Sequence, residues 1–155
     1  MKTMPSHLVR NILVILPIIL ANLFNSTISS AAELISLKES SLPDANGGGA
    51  TRGISRGPGI KIVSPNPDSH VIAPFEFKVD FISRGGSAID KNTVKVTYLK
   101  TPLVDLTERL EDAISEKGIR LKSAEVPPGT HQLKITVQDI EGRENNAFVN
   151  FLVDK

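Results

Sequence analysis

Apolar and polar residues alternate along short segments from Gly59 to the end of the chain, and this alternation constrains the fold more than any other feature. Because successive side chains of a β-strand point to opposite faces, a segment with this period buries one face and leaves the other in water. The pattern recurs over residues 94–98, 133–138 and 146–153, so we expect an all-β fold. It is clearest where Phe75, Phe77, Val79 and Phe81 are separated by Glu76, Lys78 and Asp80.

The segments between these strands have the composition of turns. A first strand at Ile60–Val63 ends at the cluster Ser64-Pro65-Asn66-Pro67-Asp68, and a loop with two glycines follows the second strand at residues 83–87. Strand character returns at residues 119–121, and a Pro-Pro-Gly turn follows at 127–129. About seven short strands at this spacing, with turn residues between them, predict a Greek-key β-sandwich over residues 59–155.

Residues 103–116 interrupt the alternation. Asp105 with Glu108 makes a candidate N-terminal cap, and Lys117-Gly118 makes a candidate stop. This favours a short helical insert in the sandwich, and a strand through residues 104–107 followed by a looser turn is the alternative. The residues that recur at helical spacing are Leu103, Leu106, Leu110, Ala113 and Ile114.

The first 32 residues have the organisation of a secretory signal peptide. Lys2 and Arg10 supply a positive region, residues 12–24 are largely apolar, and Ser29-Ser30-Ala31-Ala32 offers a cleavage site after Ala32. Pro17 interrupts the apolar run, which is shorter than the roughly 20 residues that a membrane-spanning helix needs. We therefore expect export and cleavage, and the alternative is an uncleaved leader that anchors the protein to the membrane.

Residues 33–58 are predicted to be a flexible linker. The segment contains few apolar residues and three consecutive glycines at 47–49. Ordering glycine costs more backbone entropy than ordering other residues, and a segment with little apolar content gains little from burial. The predicted organisation is therefore a signal peptide at 1–32, a disordered linker at 33–58 and a single β-domain at 59–155.

A segment near the C-terminal end matches a known pattern. It runs from Gly129-Thr130-His131 through alternating apolar residues to Asp139-Ile140-Glu141-Gly142. This segment resembles the closing hairpin of bacterial immunoglobulin-like modules, and the opening Ile62-Val63-Ser64-Pro65 is similar to that group as well. The resemblance covers residues 59–153 and implies an immunoglobulin-like sandwich in which His131 packs at a corner. It implies no particular activity, because such modules serve adhesins, enzymes and envelope machinery alike.

Composition excludes several classes of function. Cysteine is absent, which excludes disulfides, thiol catalysis, thiolate metal sites and a lipid-modified cysteine. Lys2 and Arg10 are two of the 18 basic residues, so cleavage leaves 16 of them against 17 acidic residues. A chain this close to neutrality has no strong field for nucleic acid or an anionic membrane. Together with the leader, these features are typical of a bacterial envelope protein, periplasmic or extracellular.

Two loops that are predicted to lie at the same end of the sandwich form the candidate binding site. They follow the second strand, at residues 83–90, and the penultimate strand, at residues 139–144. Antibody variable domains use this end for recognition. The alternative is that these loops are polar because turns meet water, with Asp139 and Gly142 present for turn geometry. The candidate residues are Arg84, Asp90, Asp139, Glu141, Arg143 and Glu144.

The sequence offers two weak candidates for a metal site. Asp90, Asp139 and Glu141 could converge as oxygen ligands for calcium, although no Asp-rich repeat supports this. His70 and His131 could act as a pair with a third ligand, and the alternative for His131 is the packing role that the resemblance implies. We therefore predict that the protein has no resident metal or cofactor.

The sequence favours a non-catalytic function. No base stands near a candidate nucleophile in a recognisable motif. Glycan binding by stacking needs exposed aromatic side chains, but Trp is absent and most phenylalanines fall on predicted core faces. We predict a module that binds a protein of the bacterial envelope, and the alternative is a small-ligand or metal-binding protein. Exchange of the edge strand Ile60–Val63 between chains would be a route to self-association.

Overall fold

The computed structural model describes residues 31–45 and 55–155. The predicted signal peptide up to residue 30 and the linker residues 46–54 lie outside the described residues. None of the helices in the described ranges has the length and hydropathy to span a bilayer. The elements in chain order are β1 (Ala32–Glu33), α1 (Leu37–Ser40), β2 (Gly59–Ser64), β3 (Ser69–Ile72), β4 (Phe75–Ile82), β5 (Ile89–Tyr98), β6 (Val104–Asp105), a 3₁₀ helix (Glu108–Ala113), β7 (Ile114–Ser115), β8 (Gly118–Glu125), β9 (Gly129–Asp139) and β10 (Glu144–Asp154).

The strands form two sheets. In the first sheet the order is β1-β8-β4-β2, with β7 also pairing with β8, and in the second it is β3-β10-β9-β5-β6. The pairs β1–β8 and β3–β10 are parallel, whereas the other neighbouring pairs are antiparallel. The prediction of an all-β sandwich is confirmed.

The core lies between the two sheets, as the alternation predicts. Phe77 and Val79 of β4 are fully buried, while Lys78 and Asp80 keep part of their surface in solvent. Burying a phenylalanine or valine side chain stabilises the fold by about 1.5–3 kcal/mol relative to leaving it exposed. The facing layer comes from β5, β9 and β10 and includes Val96, Tyr98, Leu133, Ile135, Val137, Val149 and Phe151.

One strand of the second sheet was not predicted. β3 pairs in parallel with the end of β10, where Ser69 lies opposite Phe151 and Ile72 opposite Asp154. Its four residues stand between Pro67 and Pro74 and are too few to establish a period. The parallel pairing therefore depends on contact with β10 and not on a local pattern.

The interrupted region is a short insert with both predicted features. Residues 104–105 form β6, which pairs with the end of β5, and residues 108–113 form a 3₁₀ helix. Asp105 accepts a hydrogen bond from the amide of Thr107 at 2.8 Å, ahead of that helix. Leu106 and Leu110 are fully buried, whereas Leu103 is 62% exposed. A tight 3₁₀ turn therefore replaces the longer helix that the apolar spacing favours.

Residues 32–45, here named the strap, pack against the sandwich. This corrects the predicted linker at 33–58 for the part that the structure describes up to residue 45. β1 pairs with the end of β8, and Leu34 and Ile35 are each 1% exposed. Both side chains belong to the core cluster. The segment has little apolar content, but these two residues enter a slot that the folded sandwich provides.

Polar contacts fix the strap around α1. Ser36 and Glu39 form a capping box at the start of the helix. The guanidinium of Arg109 donates to both carboxylate oxygens of Glu39, at 2.8 and 2.6 Å, and also to the carbonyl of Leu34 at 2.8 Å. The hydrogen bonds from Arg109 lower the pKa of Glu39 from 4.5 to about 2. The ion pair therefore joins the strap to the 3₁₀ helix.

The far end of the strap is joined to the end of β5. The carbonyl of Pro43 accepts a hydrogen bond from the amide of Thr101 at 2.8 Å, and Asp44 lies 2.6 Å from Nζ of Lys100. The Lys100 side chain is 7% exposed and stands 5.3 Å from the centroid of the Tyr98 ring. Burial alone would lower the pKa of Lys100, but the hydrogen bond to Asp44 helps to raise it. The strap thus connects the first sheet to the second.

β2 lies at the edge of the first sheet and pairs with β4. It extends the predicted first strand, Ile60–Val63, by one residue at each end. A register shift between Ile62 and Ser64 interrupts the pairing near its end. Exchange of this strand between chains stays a prediction.

Candidate functional site

Loop segments meet at one end of the sandwich, which we name the apex. The apex consists of residues 55–58, 82–88 and 139–145. The amide of Ile140 donates to the carbonyl of Ala88 at 3.0 Å, and the guanidinium of Arg143 donates to the carbonyl of Arg84 at 3.4 Å. Arg84 in turn donates to the carbonyl of Ser55 at 3.3 Å. The two predicted loops therefore converge, and residues 55–58 join them.

Asp139 organises the turn between β9 and β10. The residue is 3% exposed, and its Oδ1 accepts hydrogen bonds from the amides of Glu141 and Arg143, both at 3.0 Å. Its Oδ2 accepts a hydrogen bond from Nε of Arg143 at 2.7 Å. Burial raises the pKa of Asp139, but these hydrogen bonds outweigh it and hold the pKa below its ordinary value. Gly142 has a φ of 76°, so turn geometry accounts for both residues.

Residues 55–58 pack so closely on the start of β10 that only glycine fits at position 57. A Cβ on Gly57 would lie 2.6 Å from the carbonyl carbon and oxygen of Glu144. Nδ2 of Asn145 donates to the carbonyl of Pro58 at 2.7 Å, beside this contact. The close approach ties the segment that leads into β2 to the turn that Asp139 organises.

Ser55 stands in a Gly-x-Ser-x-Gly spacing at residues 53–57. In hydrolases with this spacing the serine is exposed on a turn from a strand to a helix. Here the hydroxyl donates to the carbonyl of Glu144 at 2.6 Å and accepts a hydrogen bond from the amide of Gly57 at 3.0 Å. The chain then continues into β2 and not into a helix. Ser55 therefore has the surroundings of a packing residue.

The outer surface of the apex combines apolar and charged groups. Ile140 is 69% exposed and Ile82 is 51% exposed. The carboxylate of Glu141 lies 3.3 Å from the guanidinium of Arg143 at the surface. A Cβ on Gly86 would meet no atom within 4 Å, so approach to this point is open. The apex thus presents aliphatic side chains and mixed charge over a backbone that is fixed by hydrogen bonds.

Four of the six predicted site residues contact one another at the apex, whereas Glu144 and Asp90 have other partners. Glu144 begins β10, where its carboxylate accepts a hydrogen bond from Nε2 of the Gln138 side chain at 3.1 Å. Asp90 lies on β5, where its Oδ1 accepts a hydrogen bond from the backbone amide of Asn92 at 3.0 Å. A role for any of them in binding stays a prediction. The residues that contact one another at the apex are Arg84, Asp139, Glu141 and Arg143.

Sequence reasoning missed the two exposed isoleucines of the apex. Ile140 stands between Asp139 and Glu141 in a polar turn, and Ile82 follows the inward-facing Phe81. Alternation directs both side chains away from the core, so a signal was present in the sequence.

The structure argues against the calcium hypothesis. Both carboxylate oxygens of Asp139 accept hydrogen bonds from its own turn, and the Asp90 carboxylate accepts a hydrogen bond from Asn92. Over residues 31–45 and 55–155, no group of three or more His, Asp or Glu side chains is placed to hold a metal ion.

The two histidines have different surroundings. His131 is 1% exposed, with Nδ1 2.9 Å from the hydroxyl of Tyr98 and Nε2 2.8 Å from the carbonyl of Pro127. Burial lowers the pKa of His131 and favours its neutral form. The side chain of His70 is 67% exposed and lies 3.4 Å from Asp154. Because both ring nitrogens of His131 are bonded within the protein, this residue packs in the core and is not available as a ligand.

Comparison with known proteins adds only similarities of fold. No protein-family model and no curated protein matches this chain. The crystal structure of CopC from Methylosinus trichosporium OB3b is similar to it, with 19% identity and a TM-score of 0.44 over 63% of this chain and 93% of that one. The endo-β-1,4-mannanase from Thermotoga petrophila is 13% identical, with a TM-score of 0.45 over 67% of this chain and 21% of the enzyme. Neither similarity indicates what this chain binds.

Proposed function

We propose that this protein is an exported, non-catalytic immunoglobulin-like module that binds another protein of the bacterial envelope through the apex. The main support for the proposal is that apolar side chains are exposed on a turn and a strand end whose backbone is held by hydrogen bonds. Asp139 and Arg143 hold the turn, while Ile82 and Ile140 stand in solvent. A preorganised surface loses little conformational entropy on binding, and arginine is enriched at protein interfaces.

The strand order supports the immunoglobulin-like type. The strands β2-β4-β8 and β10-β9-β5 correspond to the A-B-E and G-F-C strands of that group. The apex then contains the equivalents of the B–C and F–G loops, which antibody variable domains use for recognition. This position supports binding through residues 83–88 and 139–145.

Export rests on the composition of the leader. The described domain begins with β1, whose pairing with the end of β8 places it at the end of the sandwich opposite the apex.

Crosslinking in the native host tests the proposal. A photo-reactive residue in place of Ile140, which is 69% exposed, should capture one discrete protein. The same residue in place of Leu103, which is 62% exposed and lies near the opposite end, should not capture it. No capture at Ile140, or equal capture at both positions, contradicts the proposal.

Affinity measurements with the captured protein make the test quantitative. Ile140→Glu should weaken its binding at least about tenfold, because a charge would replace an exposed apolar contact at the interface. Leu103→Glu is the matched control and should bind like the unaltered protein. Unchanged affinity of Ile140→Glu would exclude the apex as the binding surface.

A small-ligand role is the second candidate, and a separate cleft favours it. The cleft has a volume of about 340 Å³ and lies between β5 and the 3₁₀ helix. Val94 and Ile114 form its apolar part, and Lys91, Glu108 and Glu111 supply charge. A melting temperature that rises with calcium, zinc or a sugar, and no longer does so in Glu111→Gln, would support this role.

A further inference from the structure

A groove with an apolar floor lies at the end of the sandwich opposite the apex. Its volume is about 410 Å³. The strap, the end of β3, residues 125–128 and the end of β10 line it, so segments distant in sequence build a single surface. All of them belong to the compact unit of residues 31–155. The groove is therefore a feature of the folded domain.

Apolar side chains stand in solvent in this groove. Leu37 is 74% exposed and Ile72 is 70% exposed, and they come from α1 and β3. They share the groove with Val126, Pro127 and Val153. Each Å² of apolar surface that is removed from water contributes about 25 cal/mol. A partner with apolar groups of matching size would therefore gain by covering this floor.

The rim of the groove carries an excess of negative charge. Glu33, Glu125 and Asp154 line it, against one basic residue of the described lining, Lys155. All three acidic residues are exposed. His70 lies 3.4 Å from Asp154 and is the cationic group next to it when protonated. At neutral pH the rim therefore attracts positive charge.

We propose that the groove binds a segment of a partner protein that carries apolar side chains flanked by lysine or arginine. The apolar floor contributes affinity, and the acidic rim favours a positively charged partner over a negatively charged one. This inference goes beyond the function proposed for the apex, because it gives the module a second binding end. The groove and the apex lie at opposite ends of β9 and β10, so two partners can be held at the same time.

Charge disfavours two other occupants of the groove. A second copy of this chain docked symmetrically would bring the same carboxylates face to face, which costs affinity. An anionic lipid surface would be repelled for the same reason. A basic apolar segment meets neither obstacle.

An NMR titration with two peptides tests the proposal. Isotope-labelled protein, obtained by expression and export of the full chain, is titrated with the amidated peptide KLVKLK and with its acidic counterpart ELVELE. The amides of Leu37, Ile72 and Val126 should shift with the basic peptide, and the amide of Ile140 at the apex should not. The acidic peptide should bind at least about tenfold more weakly, because like charges oppose each other across the interface.

Variants of the floor and the rim separate the two contributions. Leu37→Ala combined with Ile72→Ala should weaken the basic peptide at least about tenfold. Glu125→Gln combined with Asp154→Asn should weaken it about three- to tenfold and reduce its dependence on salt. Leu103→Ala, an exposed apolar residue outside the groove, should leave binding unchanged. These positions are exposed, so each variant should keep the unfolding midpoint of the unaltered protein.

Several outcomes would overturn the proposal. Equal binding of the two peptides would show that the rim does not select charge, and shifts outside the groove would place the peptide elsewhere. Shifts at the groove that grow with protein concentration, without peptide, would assign it to a second copy of the chain. Failure of the apex crosslinking leaves these peptide results unaffected, so the two proposals fail separately.

Discussion

The strap and the apex lie at opposite ends of the sandwich and are held there by different kinds of contact. At the strap, Leu34 and Ile35 enter the core, and Arg109 binds Glu39 from 70 residues away in the chain. At the apex, Asp139 accepts hydrogen bonds from residues two and four positions further on. Order at the strap therefore depends on burial against distant segments, whereas order in the β9–β10 turn of the apex depends largely on local turn chemistry.

The difference shows why similar compositions can have different structures. Both regions are rich in polar residues, and composition alone favours a disordered segment for one and a solvated loop for the other. Leu34 and Ile35 of the strap join the core cluster of the sandwich, and Arg109 and Lys100 add ion pairs to Glu39 and Asp44. At the apex the turn would be favoured even in a shorter context, because its hydrogen bonds close within a few residues.

Leu34→Ala tests most directly whether burial orders the strap. We expect it to lower the free energy of unfolding by about 2–4 kcal/mol, because it leaves a cavity in the core. Leu37→Ala, three positions further on and 74% exposed, is the control, and it should change the stability by less than about 0.5 kcal/mol. Urea unfolding followed by circular dichroism measures both. Equal effects would restore the interpretation of this segment as a linker.

At the apex, Gly57→Ala should have the next largest effect. Its Cβ would clash with the Glu144 backbone, which we expect to cost about 1–3 kcal/mol of stability. Gly86→Ala is the control, because Gly86 has open space around it and a φ of 77°, so it incurs only a conformational cost of about 1 kcal/mol. Urea unfolding compares the two variants, and a smaller loss at Gly57 than at Gly86 would contradict the close packing of residues 55–58.

The ion pair of the strap should give a pH-dependent effect. The folded pKa of Glu39 is about 2, against 4.5 without its partners, so between these values the folded state binds fewer protons than the unfolded state. Its stabilisation is therefore complete above pH 4.5 and is lost as the pH falls towards 2. We expect Glu39→Gln to cost about 1–2 kcal/mol at pH 7, after allowance for solvent screening.

A series of urea unfolding experiments between pH 7 and pH 3 checks this prediction. The difference between Glu39→Gln and the unaltered protein should shrink as the pH falls. Glu116→Gln, at an exposed position outside the strap, should show no such trend. A difference that is independent of pH would show that Glu39 acts through packing and not through its charge.

The smallest effect should come from Glu141→Gln at the apex. The Glu141 side chain is 56% exposed, so we expect a change of less than about 0.5 kcal/mol in the free energy of unfolding. Asp139→Asn is the informative companion, because it removes the charge that Arg143 neutralises in a buried position. It should destabilise the protein clearly more than Glu141→Gln in the same urea measurement. Equal effects would mean that the turn does not depend on the Asp139 carboxylate.

The regular strands were predictable because their pattern is local. The alternation at residues 133–138 and 146–153 marks the inward faces of β9 and β10, although both strands extend beyond it. β5 was predicted only from residue 94, because residues 90–93 are all polar and show no alternation. In the structure, a register shift between Asp90 and Lys95 interrupts the pairing with β9 in this part of the strand. The convergence of the loops at residues 83–88 and 139–143 followed from the strand order, but the contribution of Ser55 and Gly57 did not.

In the regular strands, the sequence by itself is enough to assign which residues face the core and where the chain turns. These features follow from a two-residue period and from local turn chemistry. It does not reveal that Leu34 and Ile35 complete the core, or that Leu37 and Ile72 share a groove. Those features arise on folding, since each needs surfaces from segments that are far apart along the chain. The apolar slot and the groove exist only once the two sheets have packed, and no local pattern encodes them.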